Sequence, residues 1–398
     1  MGDFFSIVEL ELSEATGFLP QDALPDGCRL VHITTLHGLE RLGPFWRALE
    51  RSTAAGPTVF QSFDWISQWC RIFACGNSHV EISVVAGFRG QELVFLAPWQ
   101  KAGRRGINRI VWLTYPMAQY GDVLCKQGED AKIWLDAAFA SLKARGGYDI
   151  LHLRHVREGS VLYPYAKAHM CNGRLNEKAP YLDYQVFGSL DAYDARLSRS
   201  QKKHRKNVMA HMKRLGEIKF EKIAPGDRWN SVIDQALDEK RIWLERAGLV
   251  SAVIADRRHD EMLKTLGARK GDVEIDLTEL SVNGQPLCWE IGLRYRKTHY
   301  CYVIARSSMT KDQSPGRLHF DLNQRRTMAD GYICFDLLAP NDPYKESWSN
   351  KFEPVNDWYY PLTLWGRVYG RLYIGLARPM LRRIYNYVPL SLKRLVIR

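Results

Sequence analysis

Four side chains in the C-terminal third are of types that move protons or hold anions: Glu290, Tyr302, Asp336 and Lys345. Glu290 stands mid-strand among Leu287, Trp289 and Ile291, where burial would disfavour its charged form and make it a base. Alternation leaves the other face open, where it would pair with Arg294. Tyr300 and Tyr302 share a face of the next strand, as proton donors or as packing residues. Asp336 closes a short apolar strand, and Lys345 follows Tyr344 at a helix start, where the macrodipole disfavours a cation. An anionic substrate group or an ion pair with Asp336 would account for that lysine. Between these residues, Gln313-Ser314-Pro315-Gly316-Arg317-Leu318 opens a helix whose first N–H groups lack intrahelical partners and suit an anion. The same residues also read as an ordinary cap, with Pro and Gly setting the turn.

The elements that must hold these groups follow from turn chemistry and periodicity. Asn283-Gly284 is a type I′ hairpin signal between strands Ile275–Val282 and Pro286–Tyr295. Arg296-Lys297 leads to a third strand, Thr298–Ala305. Leu318, Leu322, Arg325 and Met328 recur at helical spacing, Gly331 ends that helix, and Tyr332–Leu337 is a short strand before a helical stretch at Tyr344-Lys345.

An antiparallel meander, an anion loop with its helix, then a strand and a helix resembles the core of the GNAT acyl-CoA N-acyltransferases. Gln313-Ser314-Pro315-Gly316 with its helix, Gly331…Phe335-Asp336, and Tyr344-Lys345 with Trp348 are similar to the CelD-like branch, related to the FemAB peptidyltransferases. Phe60-Gln61-Ser62…Trp65…Trp69 and Leu197-Ser198 with the basic stretch after it add to the likeness, which spans most of residues 30–350. Leu318 stands where the family commonly has a second small residue. The resemblance implies acetyl-CoA or another acyl-CoA as co-substrate, held at its pyrophosphate by backbone around Gln313, Ser314, Gly316, Arg317 and Leu318. Direct attack by an amine would need no covalent nucleophile, with acceptor chemistry around Glu290, Tyr302, Asp336 and Lys345. Relatives in this branch are tied to exopolysaccharide production, so the implied acceptor is an amino sugar or its conjugate. FemAB-like transfer from charged tRNA and a noncatalytic, membrane-docked component are the alternatives.

Composition is compatible with this. The chain has 398 residues, 46% of them hydrophobic and 12% aromatic, enough for packed cores. A net charge of +12 points to anionic partners. Eight cysteines show no C-x-x-C pair and no zinc-type spacing, so no metal is expected and reduced thiols fit a cytoplasmic protein. No secretory signal or stretch of about 18 uncharged apolar residues stands out.

The first half reads as helices Leu39–Arg51 and Phe60–Phe73, strands Val80–Phe88, Glu92–Gln100 and Arg109–Leu113, helix Ile133–Ala144 and strand Tyr148–Leu153. This order echoes the second half and suggests two tandem GNAT-like domains, each a mixed, mostly antiparallel sheet flanked by helices. Lys101–Ile107 does not match the Gln-x-x-Gly loop, which leaves one cofactor site, in the second half. The expected division is an extension at 1–29, domains at 30–190 and 217–360, a basic linker helix at 191–216 and a basic amphipathic tail at 361–398. Arg196–Arg214 has eight Lys/Arg and no acid; it reads as an exposed linker or as a contact for an anionic substrate, and it lacks the spaced aromatics of a nucleic-acid platform. A helix over 231–247 carries Lys240 and Trp243, which in a GNAT arrangement would reach the acceptor side, although Trp243 reads more readily as core. The tail, with Arg367, Arg371, Arg378 and Arg382 near one helical face, could lie on an anionic membrane surface at the inner face of the plasma membrane, or pack on its own domain.

Overall fold

The computed structural model of the protein describes residues 24–53, 56–75, 80–104, 106–309 and 314–385. They form two compact units, 24–177 with 354–385 and 178–353. This differs from the expected division. Residues 178–190, expected in the first domain, and 191–216, expected as a linker helix, belong to the second unit, and 354–385 return to the first.

In the first unit, β1 (Cys28–Ile33) leads through the helix Leu36–Ser52, capped by Thr35, and the helix Phe63–Trp69, capped by Ser62. The hairpin of β2 (Glu81–Arg89) and β3 (Glu92–Arg104) follows, then β4 (Ile107–Trp112) and β5 (Leu124–Cys125). Helix Ala131–Arg145, capped by Asp130 and ended by Gly146 at φ +70°, crosses over to β6 (Ile150–Arg157). The sheet order is β1-β2-β3-β4-β6; β6 runs parallel to β4, the other neighbours are antiparallel, and β5 pairs with β3. Trp99, Trp134, Phe95 and Leu153 are fully buried in its core.

The helix Leu162–His169 precedes β7 (Cys171–Asp183), along which the chain passes into the second unit. There the helices Leu190–Ala195 and Arg199–Leu215 come first; the latter begins with a capping box between Ser198 and Gln201. β8 (Ile218–Ile223), the helices Trp229–Arg246 and Arg257–Ala268, and the meander β9 (Val273–Val282), β10 (Gln285–Tyr295), β11 (Thr298–Arg306) follow. Asn283 and Gly284 take φ of +49° and +75°, as a type I′ turn requires, and Arg296 takes +56°. Helix Ser314–Ala329 then crosses over to β12 (Cys334–Asp336), and after the short helix Pro343–Glu346 the chain leaves along β13 (Lys351–Pro361). The order β8-β9-β10-β11-β12, with β12 parallel to β11 and the other pairs antiparallel, repeats that of the first unit strand for strand.

The first sheet is closed by a strand that returns from far along the chain, the second by the strand that precedes β8. Val355–Pro361 of β13 lies antiparallel to β6, and Tyr181–Asp183 of β7 antiparallel to β12. The expected α/β class, two domains of mixed, mostly antiparallel sheet flanked by helices, holds; the return of β13 to close the first sheet was not expected from the sequence.

Candidate active site

In the second unit β11 and β12 are in register only from Thr298↔Cys334 to Tyr300↔Asp336. Beyond that point the parallel strands diverge, and among the described residues no strand covers the outer edge of β11 from Cys301 to Arg306. The crossover Ser314–Ala329 starts beside this opening. Gly316 is buried there, and a Cβ on it would lie 3.1 Å from the Arg306 Cδ, so the helix start and the end of β11 approach closely.

A cleft of about 910 Å³ occupies the opening. Ile304, Ala305 and Arg306 form one wall, and Gly316, Arg317, Leu318, Phe320 and Asp321 another. Helix Arg199–Leu215 contributes Ser200, Gln201, His204, Arg205 and Val208, helix Trp229–Arg246 contributes Lys240 and Trp243, and Asp342, Tyr344 and Trp348 are among the remaining lining residues. The basic helix thus has a definite place. Val208 and Met212 anchor it in the core, and its polar side borders the cleft.

Several lining groups are electrostatically perturbed. Burial and the neighbouring Lys345 ammonium hold the Lys240 amine below its ordinary pKa; its Nζ also sits 4.5 Å from the Trp243 ring centroid. Burial raises the Tyr344 phenol, which keeps its proton, while its side chain is still exposed at the rim. Asp321 is buried and raised, yet bonded to Arg205 at 2.7 Å; Arg205 also holds Asp194 at 2.8 Å, and Asp194 in turn pairs with Arg325. Arg317 and His204 face each other across the mouth at 2.5 Å.

None of the four expected acid–base residues lines this cleft. Glu290 is fully buried on the face under helix Ser314–Ala329. Its Oε1 is 2.6 Å from His299 Nε2, and the His299 Nδ1 is 3.2 Å from Asp276 Oδ2. Burial works against charge on Glu290, but the hydrogen bond and positive charge of His299 overcome it, so its pKa is lowered and not raised as a base would need. Burial likewise opposes charge on His299; its two carboxylate bonds prevail and its pKa is raised. Asp276 also meets Arg326 and, at 3.3 Å, Arg294, while neutral His319 bonds Thr278 at 3.0 Å with its other nitrogen 3.8 Å from Glu290. This network ties β9, β10, β11 and the crossover helix together beneath the cleft.

Tyr302 lies on the opposite face of the sheet, its hydroxyl 3.2 Å from His259 of helix Arg257–Ala268, so it cannot converge with Glu290. Asp336 accepts the Leu338 N–H at 2.8 Å and sets the turn after β12. Lys345 is buried and donates to the carbonyls of Leu338 and Pro340 at 2.9 and 2.8 Å, fixing that same turn. Of the expected cofactor residues, Gly316, Arg317 and Leu318 line the cleft, Ser314 begins the helix, and Gln313 lies outside the described residues. Tyr344 and Arg205 are lining groups that the sequence reading did not single out, although Tyr344 sat within a quoted motif. Among the described residues no cluster of His, Cys, Asp or Glu could hold a metal ion.

The first unit differs at the equivalent place. β4 and β6 pair only at Arg109↔Ile150 and Ile110↔Leu151, but Trp112 then crosses the gap and its indole N–H donates to the Arg154 carbonyl at 2.7 Å. Gly121 packs flat on that indole, where a Cβ would come within 1.8 Å of Nε1.

Residues 202–346 match the family described as an acetyltransferase (GNAT) domain. No curated protein sequence matches the chain. Among solved structures, FemX is similar at a TM-score of 0.58 and 12% identity, over 86% of this chain and 99% of that one. A conserved protein of unknown function from Bacteroides thetaiotaomicron is similar at 0.52 and 10% identity, over 84% and 100%. At such identities these likenesses concern the fold alone. The match to the GNAT acetyltransferase domain thus covers the diverging strands and most of the cleft, in a fold similar to that of FemX.

Proposed function

We propose that the second unit transfers an acyl group from acetyl-CoA or another acyl-CoA to an amine, with an amino sugar or its conjugate as acceptor class. The observation that carries this reading is the opening between β11 and β12 beside the start of helix Ser314–Ala329. There the unpaired strand edge can meet an extended amide-bearing chain, and helix N–H groups with Arg306 and Arg317 can meet its phosphates. Lys240 is the group suited to take a proton from the acceptor, because its lowered pKa raises the fraction of free amine. The acceptor nitrogen attacks the thioester carbonyl carbon, the C–S bond breaks, and the Tyr344 phenol gives its proton to the departing sulfur. Lys240 carries away the proton lost by nitrogen, and exchange with water restores both groups. Glu290, Asp336 and Lys345 act in this scheme by position, holding the floor and the turn that present Tyr344.

A FemAB-like transfer from charged tRNA is a second reading, favoured by the basic helix Arg199–Leu215 along the cleft and by the FemX-like fold. Titration calorimetry of the intact protein with acetyl-CoA and longer acyl-CoAs separates the two. Micromolar binding that Gly316→Glu abolishes is expected, since the added carboxylate would oppose the phosphates. A folded protein that binds no acyl-CoA would overturn the leading reading and make charged tRNA the donor to test.

A further inference from the structure

The C-terminal helical segment of the first unit presents two faces of unlike chemistry. It runs as an α-helix Leu364–Tyr369, a π-helix Gly370–Ala377 and an α-helix Arg378–Tyr385. Gly366, Gly370 and Ile374 form its inner stripe: a Cβ at 366 would strike the Asp149 carbonyl at 1.8 Å, and one at 370 the Tyr359 ring at 2.5 Å. The two glycines let the segment lie flat on its own unit, and Ile374 buries its side chain there. The outer face is apolar. Trp365, Val368, Leu372, Leu376, Met380 and Ile384 recur every three or four residues and are 44–62% exposed. The wider π turns keep residues four apart in line, so these side chains form one continuous ridge.

The flank of the ridge is cationic. Arg367, Arg371 and Arg383 each precede a ridge residue, all three are exposed, and no carboxylate among the described residues pairs with them. Sequence from Trp358 to Arg398 contains eight Lys/Arg and no acid. Arg378 differs, turning inward to bond Asp357 at 2.8 Å. No helix among the described residues is long and apolar enough to cross a membrane. An apolar ridge with an aromatic at its start and arginines along its side is the pattern of a helix lying in a bilayer interface.

We infer that this face docks the protein on an anionic lipid bilayer, with the ridge in the acyl boundary and Arg367, Arg371 and Arg383 at the headgroups. The inference is independent of the acyltransferase reading. Charge selects this occupant: three unpaired cations beside an exposed apolar ridge suit a surface that is both greasy and negative.

Flotation of the full chain with vesicles of phosphatidylcholine, or of phosphatidylcholine with one-third phosphatidylglycerol, tests it. Binding to the anionic vesicles is expected to be at least ~10-fold tighter and to weaken with salt. The double variant Leu372→Glu/Leu376→Glu should reduce it by ~10-fold or more, and Arg367→Gln/Arg371→Gln should remove most of the preference for anionic lipid. All four positions are exposed, so the variants should melt with the parent. The inference fails if the intact chain does not float, if neutral and anionic vesicles bind equally, or if the leucine variant binds unchanged. It also fails if the intact chain sediments as a dimer that the leucine variant converts to monomer, because the ridge would then belong to a second copy.

Discussion

Replacing Glu290 by Gln separates a positioning role from a catalytic one. The substitution keeps the shape and one hydrogen bond but removes a charge that sits 2.6 Å from His299, with both side chains fully buried. Breaking a buried pair of this kind costs ~3–5 kcal/mol, and the retained amide contact puts the expected loss near ~3 kcal/mol. For a domain the size of the second unit that is a fall in Tm of about 6–12 °C. The effect should depend on pH in a set direction. His299 is raised, so its contribution is full below its ordinary value of 6.5 and fades as pH rises through its folded value. Glu290 is lowered, so its contribution is present above its ordinary value of 4.5 and fades as pH falls through its folded value. The difference in Tm between parent and variant should therefore be widest between pH 4.5 and 6.5. Calorimetry across that range measures it, beside turnover at a temperature where both are folded. A variant that melts with the parent yet loses kcat a hundredfold or more would refute the positioning role and restore Glu290 as the base.

Other expectations concern the cleft and the first unit. Lys240→Met should lower kcat by ~100-fold and flatten the limb of the pH–rate profile in which activity rises as Lys240 loses its proton, below the ordinary 10.5. Tyr344→Phe should lower kcat by ~10–100-fold with acyl-CoA affinity nearly unchanged in calorimetry, because it removes a proton used only as sulfur departs. Gly121→Ala should displace Trp112 and break its bond to the Arg154 carbonyl, costing ~3 kcal/mol in denaturant unfolding, with acyl-CoA binding by the second unit retained.

Much of the second unit was legible because its signals are local. Asn283-Gly284 needs positive φ wherever it stands, and the loop-to-helix change at Ser314 is a change of periodicity. The closing strands were not legible. Lys351–Pro361 carries Pro354, Asn356 and Asp357, and Cys171–Asp183 is mostly polar; their partners lie far away in sequence, so no window of residues contains the reason they are strands. Glu290 failed for a related cause. Whether a strand carboxylate is a base or half of an ion pair depends on His299 across the ladder and His319 on the crossover helix, and alternation along β10 groups Glu290 with Cys288 and Gly292 without saying which helix covers that face. Lys345 was placed correctly at a helix start, but its charge is met by the Leu338 and Pro340 carbonyls of the turn before it.

The late return of β13 to the first sheet also bears on how the chain is made. When β6 leaves the ribosome its outer edge has no partner, and Val355–Pro361 emerges roughly 200 residues later, a delay of about 10–40 s at ordinary synthesis rates. Throughout that interval a strand destined for burial offers open N–H and C=O groups to any other nascent chain. A gene cut between the two halves would release a first fragment that keeps this edge permanently. The protein is thus synthesised as two recognisable halves that mature only as one.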